Sequence, residues 1–421
     1  MKIRSLLLGS VAAAGLSTAG FAADLGVVTS LDICDELGLS GLTISSDDNC
    51  LVITGGVTFE YNIGDYNDGV DDDGDGILTD EGTLYTTFNR TGNLYLVDDN
   101  DGLLESSADV DAWLKFVATA NSDFGPATAT IKLISENITG VADTPVLIDE
   151  AWVGIGDTTM LMAGYKGSIF NNGDDAPLNY LGLFNSGAVD AGVNGWDGHN
   201  PATGGNVIQV VSNLGNGIAV KGAIEDLGDP SNASLLTGVG VIEYAGDGVT
   251  AHVSADIDTT GHFLVHSGFK GTWDPITAVG AIAFGSHGYW NALGSLSATF
   301  DMFTLAVSGE ATGFGEYGVG ASLSATVTDG VTLNLGGRYF TDTTGGPSAG
   351  QVEAGVSAAV TETITLTAAI GAASSTLSGP YAYGKAGLAW APGGGFTTSI
   401  EGQANTFGGY KGTFKAAKTI K

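Results

Sequence analysis

The densest run of one chemistry in the 421 residues is Asp71-Asp-Asp-Gly-Asp-Gly-Ile-Leu-Thr-Asp-Glu81. Carboxylates recur at Asp71, Asp73 and Asp75, and Gly76 follows, as in the first half of a calcium-binding loop. Alternate carboxylates can converge on one hard cation, and a glycine permits the sharp turn that brings them round. The last ligand position of such a loop holds Gly82, and Glu81 stands one place early. The spacing makes Ca2+ held by Asp71, Asp73, Asp75 and Glu81 the expectation. A solvated acidic loop is the alternative, and no other cofactor is called for. A second acidic cluster, Asp98-Asp-Asn-Asp-Gly-Leu-Leu-Glu105, lies close by.

Other chemistries are excluded more firmly. The five histidines, at 199, 252, 262, 266 and 287, form no strong metal-ligand spacing. The sequence gives no reason to expect an enzyme. Lys plus Arg number 14 against 47 Asp plus Glu, a formal charge of −33. Phosphate backbones are repelled by such a chain, so nucleic acid is not a partner. Charged residues are only 14% of the total, where soluble domains carry about 25%. The shortfall points to a large surface that does not face water.

The elements that position these residues are strands. In Gly294–Gly309, Leu296, Ala298 and Phe300 share one face and Ser295, Ser297 and Thr299 the other. After a turn at Asp301, Thr304, Ala306 and Ser308 alternate with Phe303, Leu305 and Val307. The period is two, as in a strand. Nine such hairpins fall near 108–136, 145–167, 206–225, 236–257, 263–284, 294–309, 316–339, 351–371 and 381–402. A first strand at 51–61 and a last at 410–420 raise the count to 20. Residues 1–22 read as a cleaved signal peptide, with basic Lys2 and Arg4, an apolar stretch and a Gly20-Phe21-Ala22 site. Its removal takes the charge to −35, and residues 23–421 form the exported domain. No later apolar run is long enough for a membrane helix. An exported chain that spans a membrane without helices must close into a barrel. The expected fold is therefore an all-β, transmembrane antiparallel β-barrel with an even strand number. Short turns within hairpins and longer connections between them match the layout of bacterial outer-membrane barrels, short side inward to the periplasm. Trp273, Phe300, Phe303, Trp390 and Phe396 flank the short turns as an interfacial girdle. Export also favours a bridge between the two cysteines, Cys34 and Cys50. It would stabilise the N-terminal segment by about 3 kcal/mol in the chain-entropy picture.

Alternation assigns the lumen. Lipid-facing Val110, Ala112, Leu114 and Phe116 put Asp111, Trp113 and Lys115 inside; Ile131 and Leu133 outside put Thr130 and Lys132 inside. The same logic turns Glu150, Lys166, Lys221, Glu225, Lys270, Arg338 and Glu353 inward. Two connections are long: 64–107, which is acidic, and 169–206, which can fold into the barrel. Lys115, Lys132 and Lys166, opposed by Asp174 and Asp175 on that second loop, would set a transverse field across a constriction. The overall acidity predicts a weak preference for cations.

Several segments resemble alphaproteobacterial outer-membrane porins. They are the signal Met1-Lys-Ile-Arg-Ser-Leu-Leu-Leu, the span Asp32-Ile-Cys34 to Cys50-Leu-Val-Ile-Thr-Gly-Gly-Val57, Ala112-Trp-Leu-Lys-Phe116, Ile148-Asp-Glu-Ala-Trp-Val-Gly154, Met162–Phe170 and Gly408–Lys418. The resemblance implies a homotrimeric, water-filled channel of 16 strands for passive diffusion of small hydrophilic solutes and ions, its third long loop folded into the pore. Outer-membrane lipid and lipopolysaccharide are the implied partners, and bound calcium would link the acidic loop to the latter. A substrate-selective pore for sugars or small organic acids, with Trp113, Trp152 and Trp196 as a stacking track, is the main alternative; a plugged structural barrel is another. The chain ends in Thr-Ile-Lys421 where the family ends on an aromatic residue, and Lys166 stands where it commonly places Arg.

Overall fold

Asn216-Gly217 and Asp247-Gly248 reverse the chain in two residues with positive φ at both positions. Such turns carry the right-handed twist of the strands they join. Repeated reversals of this kind turn an alternating sequence into a meander. In a computed structural model, which describes residues 32–46, 48–66, 104–136, 138, 145–170, 176–184, 204–228, 236–346, 348–376 and 379–420, a short helix α1 (Asp32–Glu36) and strand β1 (Leu42–Ser45) lead into the meander. It comprises β2 (Cys50–Asp65), β3 (Glu105–Ala120), β4 (Ala127–Ser135), β5 (Leu147–Gly156), β6 (Thr159–Gly167), β7 (Gly204–Gly215), β8 (Ile218–Glu225), β9 (Thr237–Gly246), β10 (Val249–Asp258), β11 (Phe263–Trp273) and β12 (Ile276–Gly285). It continues through β13 (Trp290–Phe300), β14 (Phe303–Thr312), β15 (Glu316–Thr328), β16 (Val331–Asp342), β17 (Ser348–Ala359), β18 (Ile364–Ser375), β19 (Gly379–Gly393), β20 (Phe396–Asn405) and β21 (Tyr410–Ile420).

Each strand from β2 to β21 pairs antiparallel with its neighbours, and β21 pairs back onto β2 from Gly55↔Ile420 to Asp65↔Tyr410. The barrel is closed and has 20 strands. The 16 implied by resemblance is corrected, and the hairpin count stands. β1 is extra: it pairs with β2 only at 50–53, where β21 has already ended. It thus covers the part of the β2 edge that closure leaves open. The Cys34–Cys50 disulfide fastens this N-terminal segment to the start of β2.

The two rims differ, though less evenly than expected. Long connections, 66–104, 136–146, 168–203 and 226–236, belong to the first half of the barrel. From β10 onward the same rim is closed by 259–262, 286–289, 313–315, 343–347, 376–378 and 406–409. The outer face is predominantly apolar: Val153 and Ile400 are each 60% exposed and Ile370 is 71% exposed. Trp273, Phe300, Phe303 and Trp390 are exposed on the outside beside the short turns, with Phe396 packed on Trp390 at 6.3 Å. At the same rim outward-facing Lys418 bends its ammonium to the carbonyls of Gly394 and Thr419, as snorkelling lysines do. Among the described residues no helix is long and apolar enough to cross a membrane; the strands are the spanning elements. Ile370→Arg, on the outer face of β18, is expected to lower barrel stability in lipid vesicles by about 2–4 kcal/mol. Urea unfolding measured by tryptophan emission checks this.

Candidate functional site

The inner wall is polar, and residues 168–170 and 176–184 of the connection after β6 are folded onto it. The start of that connection is fixed by β7 and β8. The Gln209 amide donates to the Gly167 carbonyl at 2.9 Å, and fully buried Glu225 accepts the Ile169 N–H at 3.2 Å. Phe170, also fully buried, packs among Val239, Val241, Leu264 and Ala283 of β9, β11 and β12. Residues 176–184 lie against β12–β17. The Leu178 N–H donates to Ser295 at 2.9 Å and the Tyr180 N–H to Ser322 at 3.0 Å. Leu183 packs on Val279, Ala281 and Leu293, and Phe184 on Phe340 and Ala349.

Arg338 of β16 clamps this segment. One guanidinium nitrogen donates to the carbonyls of Leu181 and Leu183 at 3.0 and 3.2 Å. The guanidinium plane lies 4.2 Å from the centre of the Phe184 ring, and Nε donates to Gln351 at 2.7 Å. The Tyr180 hydroxyl donates to Glu353 at 2.6 Å; the other carboxylate oxygen takes Tyr383 at 2.7 Å and Lys385 at 3.1 Å. Three glycines make room. A Cβ on Gly320 would stand 2.6 Å from the Asn179 amide, one on Gly336 3.0 Å from the Tyr180 ring, and one on Gly355 2.5 Å from the Tyr180 hydroxyl. The wall of β15–β17 is therefore hollowed by glycine to seat the segment.

In a barrel of 20 strands, β16 lies about half a circumference from β5. On that opposite wall Lys115, Lys132 and Lys166 lie on neighbouring strands. Register places Lys115 beside Lys132 and Lys132 beside Glu150, while Ala151 pairs with Tyr165, next to Lys166. The ladder slips between Lys132 and Leu133, leaving Asp149 as the extra residue of a bulge. A bulge lets neighbouring side chains leave on the same side of a strand, so Asp149 and Glu150 both reach the lumen. Lys132 pairs with Asp149 at 2.5 Å and Lys115 with Glu150 at 3.1 Å. Lys166 lies over the Trp152 ring at 5.1 Å. Alternation had already turned Glu150 inward with the lysines; the slip that adds Asp149 beside Lys132 is invisible to it.

Asp174 and Asp175 lie outside the described residues, as do Trp196 and the acidic run holding Asp71, Asp73, Asp75 and Glu81. Other inward pairs follow the same matching: Lys415 with Glu60 at 3.0 Å, and Lys221 with Glu243. Glu60 pairs across with Asp109, and Thr58 with Asp111, so those aspartates also face in. Glu225, Asp256, Glu310, Glu316 and Glu401 share inward faces as well. Acidic groups on the described inner wall outnumber basic ones. The roles of Arg338, Tyr180 and Glu353 as loop anchors were missed. Only an inward Arg and Glu were legible, because their partners lie more than 150 positions away in sequence.

A closed antiparallel barrel with an apolar exterior, a charged lumen and a loop folded inside it is the architecture of a bacterial outer-membrane protein. The chain matches no family model and no curated protein. Among solved structures it resembles a mutant of the Rhodopseudomonas blastica porin at 12% identity, over 88% of this chain and 99% of that one, with a TM-score of 0.42. A loop-deletion form of OmpT, an outer membrane protein of Vibrio cholerae, matches at 9% identity over 89% and 100%, with a TM-score of 0.39. Likenesses this distant assign no function.

Loss of the Arg338 clamp is expected to free the loop without opening the barrel. Hydrogen bonds to a charged donor contribute on the order of 1.5–3 kcal/mol. Arg338→Ala should therefore speed amide exchange at 181–184 at least tenfold, leaving the amides of β13 and β14 protected.

Proposed function

We propose that the chain is an outer-membrane porin, a water-filled channel for passive diffusion of small hydrophilic solutes and ions. One observation carries this reading. Residues 176–184 are bound to the inner wall of β13–β17, half a turn from the charged row of Lys115, Lys132, Glu150 and Lys166. A loop held against one wall narrows a lumen, and the charges opposite remain to meet whatever passes. Paired charges of both signs put a local field across such a constriction, which orients dipolar solutes and sorts ions. Lys115, Lys132 and Lys166 are the residues proposed to line it, with Asp174 and Asp175 as candidate acids on the loop. The excess of inward carboxylates supports a weak cation preference. The homotrimer rests on the family resemblance.

Reversal potential in a planar bilayer under a KCl gradient tests the channel and its sign together. The expected result is a stable ion current with a potential displaced toward that of K+. A displacement toward Cl− contradicts the charge argument, and an absence of current favours a plugged structural barrel. Replacing Lys115 and Lys132 together by Gln should increase the cation preference, since Asp149 and Glu150 would then lose their ammonium partners.

A further inference from the structure

The inward side chains of β3–β6 form more than a row of charges. Trp113 lies two residues from Lys115 on β3, toward the long-loop rim, and Trp152 lies two residues from Glu150 on β5, toward the short-turn rim. Both indoles are half-buried and face the lumen: Trp113 pairs with inward Gly56, whose Cβ would stand 2.6 Å from the indole nitrogen, and Trp152 pairs with buried Thr130. At about 3.3 Å per residue and about 4.8 Å per strand, the two rings sit about 13 Å apart along the strands and about 10 Å apart across them. Between them lie Lys115, Lys132, Asp149 and Glu150, already matched with one another. The Trp152 indole N–H also donates to Glu150 at 3.2 Å, which fixes that ring.

We propose that this wall is a binding track for a neutral, hydroxyl-rich solute, a short oligosaccharide, with Trp113 and Trp152 as its two platforms. The chemistry selects the class. A simple anion would have to compete with Asp149 and Glu150 for Lys115 and Lys132 and with the Trp152 ring for Lys166, and a simple cation with the lysines for the carboxylates. A sugar needs neither charge. Its hydroxyls donate and accept at once, and so add to an alternating set of ammonium donors and carboxylate acceptors without breaking the existing pairs. Its apolar C–H face covers an indole, taking the place of the ammonium groups of Lys166, 5.1 Å from the centre of the Trp152 ring, and Lys132, 6.0 Å from that of Trp113. Two platforms separated by a polar row fit a chain of sugar rings better than one small solute. The inference rests on the channel reading for access to the lumen.

The test is ion current through single channels with maltotriose, cellotriose or xylotriose added at millimolar concentration, paired with isothermal titration of the same sugars into detergent-solubilised protein. At least one trisaccharide is expected to block current and to give a saturable heat. Trp113→Ala and Trp152→Ala should each weaken that sugar about tenfold or more. Trp152→Phe should stay within about threefold, and Trp273→Ala, on the lipid side, should change nothing. Conducting channels that none of the three sugars blocks, and that give no heat, overturn the track and leave the channel reading intact. Block by succinate or arginine but by no sugar overturns it too. Saturable heat in a protein that carries no current keeps the track and overturns the channel.

Discussion

Everything in this molecule depends on pairing the two ends of the sheet. In hydrocarbon a strand edge has no water to bond with, so each N–H and C=O along β2 and β21 must find a partner or cost several kcal/mol. The ladder from Gly55↔Ile420 to Asp65↔Tyr410 supplies those partners. It also forces a division of labour, because closure gives every strand one face to lipid and one to the lumen. β1 and the cysteine bridge finish the same task where β21 runs out.

Once the lumen is enclosed, its wall becomes a surface on which a loop can fold. The loop brings backbone groups that need partners, and the wall provides them: hydroxyls of Ser295 and Ser322, the Arg338 guanidinium, the Glu225 carboxylate. Glycine does the opposite work. Gly320, Gly336 and Gly355 offer no side chain, so the loop approaches the backbone closely enough for Tyr180 to reach Glu353. Part of this chain's high glycine content is thus a mould for one segment. The charged row of β3–β6 lies on the opposite wall.

The fold was legible because the signal repeats. Each hairpin carries the same period and the same reversal chemistry, so one misread strand leaves the pattern intact; the hairpin count of 20 outlived the family value of 16. The lumen-facing residues were legible for the same reason. What alternation could not show is where it breaks. The bulge at Asp149 gave Lys132 a carboxylate partner that alternation had not placed inside. Nor could local pattern find the contacts of 176–184, since Arg338 and Glu353 meet them only through closure of the barrel. The evenness of the long rim was overstated because loop length is not periodic.

The central claim is that Lys166 faces an aqueous passage while its strand neighbours face lipid. The most direct measurement is single-channel current through Lys166→Cys before and after a water-soluble, negatively charged thiol reagent, with Leu161→Cys in parallel. The native cysteines are bridged to each other and leave no competing thiol. A stepwise change in current is expected for Cys at 166 and none for Cys at 161, whose native side chain is 48% exposed on the outer face. Modification at 161 but not at 166, or no current from either, would contradict the claim.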